Sequence, residues 1–82
     1  MDNRAMIIDG LRKAVANGLD IPIEKVVPSA RFKEDLGADS LDLVEIIIDM
    51  EEKFGISIPD EEAQNFHTIQ DAIDYLDKAG KL

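Results

Sequence analysis

Residues 40 to 54, with the sequence SLDLVEIIIDMEEKF, constrain the fold more than any other segment, because their apolar side chains recur at α-helical spacing. At about 3.6 residues per turn, one face of this segment is continuously apolar. Gly55 follows directly and is a typical residue just beyond a helix C-terminus. The pattern predicts a helix from about Ser40 to Phe54 whose core-facing side chains are Leu43, Ile46, Ile47, Met50 and Phe54.

Three apolar residues of the same helix lie outside that face. Leu41, Val44 and Ile48 form a second stripe, rotated roughly 120° from the first, with Glu45 and Glu52 along its edge. In one interpretation the preceding loop or the following helix covers this stripe. In the other it is exposed as an apolar strip rimmed by carboxylates, which is the composition of a protein interface.

A first helix is predicted from about Arg4 to Ala16, with Asp2 or Asn3 as its N-cap and Gly18 as its end. Its apolar stripe contains Ala5, Ile8, Leu11 and Val15.

A long loop is expected over residues 19–38, because prolines and a glycine interrupt it. Apolar side chains within the loop are expected to anchor it to a core, and these are Ile21, Ile23, Val26, Val27, Phe32 and Leu36.

Two further helices are predicted in the C-terminal third. Pro59 and Asp60 can start a short helix that ends near Asn65. Thr68 can cap a last helix that ends near Lys78. Residues 56–58 alternate like a strand but are too few to form one alone. The expected fold class is all-α, a small four-helix bundle with a long first loop and a short third helix.

The chain has 82 residues and no cysteine, which predicts a single domain over residues 1–82 without disulfides or a thiol nucleophile. Charged residues at Asp9, Arg12 and Lys13 interrupt the N-terminal segment, so neither a signal peptide nor a membrane span is expected. We therefore expect a cytoplasmic protein, or one in an organelle whose transit peptide is already absent.

The formal net charge is -9, from 18 acidic and 9 basic side chains. This charge would repel nucleic acids and anionic membranes. Residues 34–62 contain most of it, with Lys53 as their only basic residue. Such a run is usually a solvated face, but it also suits docking onto basic partners.

Ser40 is the residue whose chemistry needs an explanation. GADSLD is not the G-x-S-x-G motif of hydrolases, and His67 is the only histidine, so no catalytic residues are expected. The nearby carboxylates lack the spacing of an EF-hand, so no metal site is expected beyond weak divalent binding. Ser40 could be an ordinary N-cap. It could also be a modification site, because a phosphodiester at a helix N-terminus meets free N–H groups and the positive end of the helix dipole.

The segment LGADSLDLVEIIIDMEEKFGISIPDEEA, together with HTIQDAIDYL, closely resembles the acyl carrier proteins. The apolar first helix and the loop ending in ARFKEDLG are also similar to that family, so the resemblance covers essentially the whole chain. The order and spacing of these motifs make the resemblance specific, whereas D-S-L alone would be weak.

The resemblance implies a carrier and not an enzyme. A phosphopantetheinyl transferase, or holo-synthase, would attach 4'-phosphopantetheine to Ser40, and the thiol of the arm would hold acyl chains as thioesters. The expected partners are that transferase and fatty acid synthesis enzymes with basic patches, acting on a monomer. The docking residues implied are Asp39, Leu41, Asp42, Val44, Glu45, Ile48 and Glu52.

The resemblance also implies that acyl chains shelter inside the bundle. The lining it suggests is Phe32, Ile46, Met50, Phe54, Ile58, Ala63, Phe66, Ala72 and Tyr75. A freestanding carrier for fatty acid synthesis is the first hypothesis. A carrier for polyketide or specialised lipid assembly is the alternative within the same chemistry. An acidic helical interaction module, or a weak calcium-binding module without an arm, is the alternative from another class.

Overall fold

The computed structural model describes residues 3–82 and contains four α-helices within them. A single 3-10 turn lies in the first loop, at Ile23–Lys25. Residues 3–82 form no strand, and an isolated bridge joins Arg31 to Thr68. The predicted all-α bundle with a long first loop and a short third helix is confirmed, and its helices are α1 (Asn3–Leu19), α2 (Ser40–Phe54), α3 (Asp60–Ala63) and α4 (Ile69–Lys78).

The predicted end of α1 is wrong, because the helix continues through Gly18 to Leu19. A Cβ atom at position 18 would lie 3.6 Å from a side-chain carbon of Ile46, so the helix packs closely against α2 there. The turn falls instead at Asp20, which has a φ of 54°. Aspartate is among the few residues that tolerate this left-handed conformation. The suggested cap Asp2 lies outside the described residues.

The predicted boundaries of α2 and the start of α4 are confirmed. Gly55 has a φ of 65° and ends α2 in the left-handed conformation, as its position suggested. Thr68 caps α4, where its hydroxyl accepts a hydrogen bond from the N–H of Asp71. The Asp71 carboxylate accepts one from the N–H of Thr68 in return, at 3.0 Å. These local bonds explain why both helices could be located from sequence.

One hydrophobic core joins all four helices and the first loop. Leu11 and Val15 enter it from α1, and Ile46, Ile47 and Met50 enter it from α2, as the sequence predicted. The other fully or nearly buried apolar side chains are Ala16, Val26, Ala30, Phe32, Leu36, Ala38, Ile58, Phe66, Ile69, Ala72, Ile73 and Leu76.

The long first loop is attached to the helices by hydrogen bonds as well as by apolar side chains. The guanidinium of Arg12, on α1, donates to the carbonyls of Val26 at 2.8 Å and Ile23 at 3.1 Å. Of the six predicted anchors, Val26, Phe32 and Leu36 are buried, and Ile21 and Ile23 are partly buried. Val27 is exposed, so its prediction as an anchor is wrong. The chain turns at residues 27–30, where the N–H of Ala30 donates to the carbonyl of Val27 at 2.9 Å.

The end of the loop also pairs with the segment that precedes α4. The N–H of Phe32 donates to the carbonyl of His67 at 2.9 Å, and the N–H of Ile69 donates to the carbonyl of Ala30 at 3.0 Å. These bonds hold residues 30–33 beside residues 67–69, close to the start of α2. Within the described residues, no helix combines the length and the apolar composition that crossing a membrane requires.

Candidate functional site at the start of helix 2

Ser40 is the first helical residue of α2 and is exposed. The N-cap is Asp39, whose carboxylate accepts a hydrogen bond from the N–H of Asp42 at 2.8 Å. The Asp42 carboxylate accepts the N–H of Asp39 at 3.2 Å, which completes a reciprocal capping box. The interpretation of Ser40 as the N-cap is therefore wrong, because Asp39 performs that function. The Ser40 hydroxyl remains accessible to a modifying enzyme.

The backbone around Ser40 suits a negatively charged group. The first intrahelical hydrogen bond of α2 runs from the N–H of Leu43 to the carbonyl of Asp39, at 3.0 Å. The N–H groups of Ser40 and Leu41 precede that bond, at the positive end of the helix dipole. A phosphodiester on the Ser40 oxygen fits this environment chemically.

A cavity of about 430 Å³ opens beside Ser40, between the start of α2 and the α3 region. This volume lies in the range of small-molecule sites, which typically have a mostly apolar lining with a few polar groups. The apolar wall consists of Leu43, Val44, Ile47, Ala63 and Phe66, and the polar residues around the cavity are Lys33, Ser40, Asp60, Gln64 and His67.

The cavity contains only part of the predicted acyl lining. Ala63 and Phe66 belong to its wall. Five other predicted residues are buried in the core, namely Phe32, Ile46, Met50, Ile58 and Ala72, and the remaining two, Phe54 and Tyr75, pack partly buried against it.

Sequence reasoning missed three residues of this wall, namely Leu43, Val44 and Ile47. They lie three, four and seven positions after Ser40, so they share its face of the helix. Counting helical spacing from Ser40, instead of from the core stripe, could have found them.

The second apolar stripe of α2 is exposed. Leu41, Val44 and Ile48 are 70%, 50% and 46% accessible, and Glu45 and Glu52 are exposed beside them. The interpretation in which the loop or α3 covers this stripe is therefore wrong. Neither element covers it, because the loop packs towards α1 and α4 and α3 has only four residues. Val44 also lines the cavity between α2 and the α3 region. We call these five residues the α2 strip.

The carboxylates around the site differ in what they bind. The Arg31 side chain donates hydrogen bonds to the Asp35 carboxylate at 3.2 Å, and this interaction lowers the pKa of Asp35 below its ordinary value. The Glu51 carboxylate accepts the N–H of Ile58 at 2.8 Å and so supports the connection after α2. Glu45 makes no such bond within residues 3–82 and is available to a partner.

In this part of the chain no group of three or more acidic or histidine side chains is arranged to hold a metal ion.

Comparison with known proteins agrees with this geometry. The profile of the phosphopantetheine attachment site family matches residues 9–76, which include Ser40, the cavity and the α2 strip. The chain is also 50% identical over 74 residues to an acyl carrier protein of Thermosynechococcus vestitus, and the match covers 90% of this chain and 91% of that relative. The chain belongs to the acyl carrier protein family.

Acyl carrier proteins are carriers and not enzymes, and phosphopantetheine is their prosthetic group. The resemblance noted in the sequence is thus confirmed, together with the carrier function and the cofactor. The carrier acts by interacting with acyl chains and with the enzymes that synthesise them.

Proposed function

We propose that Ser40 carries the 4'-phosphopantetheine arm and that this carrier serves fatty acid synthesis. The observation that supports this most strongly is the exposed Ser40 hydroxyl, which lies at the N-terminus of α2 and beside an apolar cavity. When bound, the arm supplies the thiol that the chain lacks, and that thiol holds the acyl group as a thioester. The whole chain, residues 1–82, acts as a single acyl carrier domain in the cytoplasm, as a monomer.

The α2 strip is the proposed docking surface, together with Asp39 and Asp42. A partner that binds there would bury the exposed apolar side chains of the strip. Glu45 and Glu52 would attract basic patches on that partner and repel acidic ones. The partners we propose are a phosphopantetheinyl transferase and the fatty acid synthesis enzymes. Asp39 and Asp42 already bond to the backbone of α2, so their role in docking is added to a structural one.

The acyl chain is proposed to enter the cavity beside Ser40. Its first methylenes would contact Leu43, Val44 and Ile47, opposite Ala63 and Phe66. A longer chain would have to displace the packing of the core behind this wall, because protein interiors contain little free space. The deeper residues of that proposed path are Phe32, Ile46, Met50, Phe54, Ile58, Ala72 and Tyr75.

Intact mass spectrometry tests the attachment site directly. The protein is coexpressed with a phosphopantetheinyl transferase, and we expect the mass to increase by one phosphopantetheine. Ser40→Ala should abolish the increase, because the acceptor oxygen is lost. Ser57→Ala is the matched control, since Ser57 is also exposed but lies beyond the end of α2. Full loading of Ser40→Ala would refute the assignment.

A further inference from the structure

Two basic side chains lie around the cavity that contains Ser40, although most of the nearby charge is negative. Lys33 comes from the end of the first loop, and His67 comes from the residue before the N-cap of α4. The hydrogen bond from the N–H of Phe32 to the carbonyl of His67 holds the two segments together at 2.9 Å. The two residues also line a second, smaller cavity of about 280 Å³, which is a second sign that they lie close together.

Neither basic side chain forms an ion pair or a hydrogen bond with another group in the described part of the chain. The ion pairs of residues 3–82 involve Lys13, Arg31 and Lys78 as cations, and no hydrogen bond of the Lys33 or His67 side chain is present. Both residues are exposed and therefore available to a ligand in the cavity. Arg31, the nearest other cation in sequence, is held by Glu34 and Asp35.

A group attached to Ser40 through a phosphodiester brings a negative charge into an acidic environment. Asp39 and Asp42 flank the attachment point, and Asp60 lies at the same cavity. The helix dipole offsets part of this repulsion, but the capping box already uses the N–H of Asp42. Lys33 supplies positive charge at the same cavity, and the side chains of both Lys33 and His67 can donate hydrogen bonds to phosphate oxygens.

We propose that Lys33 and His67 together bind the phosphodiester on Ser40 and so direct the arm into the cavity between α2 and α3. This inference rests on the proposed attachment at Ser40. It gives these two residues a positioning role, because they contact the inner end of the arm and not its reactive thiol. The α2 strip meets the cavity only at Val44, so its other four residues stay free for partners while the arm is held.

Phosphorus NMR of the loaded protein tests the proposal, because the phosphodiester is the only phosphorus in the molecule. We compare the wild type with Lys33→Gln/His67→Gln, with Lys33→Arg and with Lys25→Gln, a change of an exposed lysine on the 3-10 turn. The double variant should move the signal towards its position in the urea-unfolded protein and make it narrower. Lys33→Arg should keep the wild-type signal, and Lys25→Gln should leave it unchanged.

The same signal should respond to salt in the wild type. At about 1 M KCl the screening length falls to about 3 Å, so the phosphate should be released and the signal should approach that of the double variant. This second measurement decides the question if the double variant loses its circular dichroism spectrum.

Two results would overturn the inference. One is a wild-type signal in a folded double variant that mass spectrometry shows to be fully loaded. The other is a wild-type signal that does not move with salt. If instead mass spectrometry finds no arm on Ser40 in any variant, the proposed attachment site itself has failed, and this outcome is distinct from both.

Discussion

The capping box at the start of α2 allows the structural and docking roles of Asp39 to be separated. The carboxylate of Asp39 accepts the N–H of Asp42 at 2.8 Å, so Asp39→Ala leaves this donor without its partner. Asp39→Asn keeps a side-chain oxygen that can accept the same bond, but it removes the negative charge. The two variants therefore differ in capping while sharing the loss of charge.

The expected magnitude follows from the measured cost of losing an N-cap. Replacing aspartate by alanine at this position should lower the free energy of unfolding by about 1 kcal/mol, within a range of roughly 0.5 to 2 kcal/mol. For a domain of this size, about 1 kcal/mol corresponds to a decrease in Tm of roughly 4 to 8 °C. Asparagine is nearly as good a cap as aspartate, so Asp39→Asn should melt close to the wild type.

Two assays on the same samples give the comparison. Thermal unfolding of the unloaded protein, followed by circular dichroism, reports the cap, and the rate of arm attachment by a phosphopantetheinyl transferase reports docking. We expect Asp39→Ala alone to lose stability, and both variants to load more slowly because both lack the charge. Equal melting temperatures for the alanine and asparagine variants would show that the capping bond does not stabilise α2.

Three other predictions concern different parts of the molecule. Glu45→Lys should slow arm attachment without changing the circular dichroism spectrum. The control Glu24→Lys, at an exposed site on the 3-10 turn, should leave the rate of attachment unchanged. Equal rates for the two variants would contradict docking at the α2 strip. Met50→Ala should lower the free energy of unfolding by about 2 to 5 kcal/mol in denaturant titrations, because Met50 is fully buried, and a loss below about 1 kcal/mol would argue against its place in the core. The hydrogen bond from Arg31 lowers the pKa of Asp35 in the folded protein. The contribution of this interaction to stability is therefore complete above the Asp35 pKa of the unfolded chain, near 3.8, and is lost as the pH falls through the folded pKa. Arg31→Gln should therefore raise the Asp35 pKa in a carboxyl NMR titration, and an unchanged pKa would exclude this cause.

Local signals explain what could be predicted about the helices. The boundaries of α2 and the Thr68 cap of α4 were predicted correctly, because caps and apolar periodicity act within a few residues. The end of α1 was predicted wrongly for the same reason. A glycine is a good local stop signal, but Gly18 lies where α1 approaches Ile46, and a local rule contains no information about that contact.

The sequence likewise predicted some features of the candidate site and missed others. The position of Ser40 at the start of α2 was predictable from the motif around it, although Asp39 and not Ser40 provides the cap. The cavity wall was predicted only at Ala63 and Phe66, because its other side chains look like ordinary helix residues in the sequence. Whether such residues line a cavity or fill the core depends on how α3 packs against α2.

The sequence by itself determined the helices, the acidic character of the central segment and the family to which the chain belongs. Helical period, caps and motif spacing are properties of neighbouring residues, so they can be identified before folding is considered. Only the tertiary structure decided that the α2 strip is exposed, which side chains face the cavity, and that Lys33 and His67 line the same cavity as Ser40. These features depend on packing and hydrogen bonds between segments that are distant in the chain, such as Phe32 with His67.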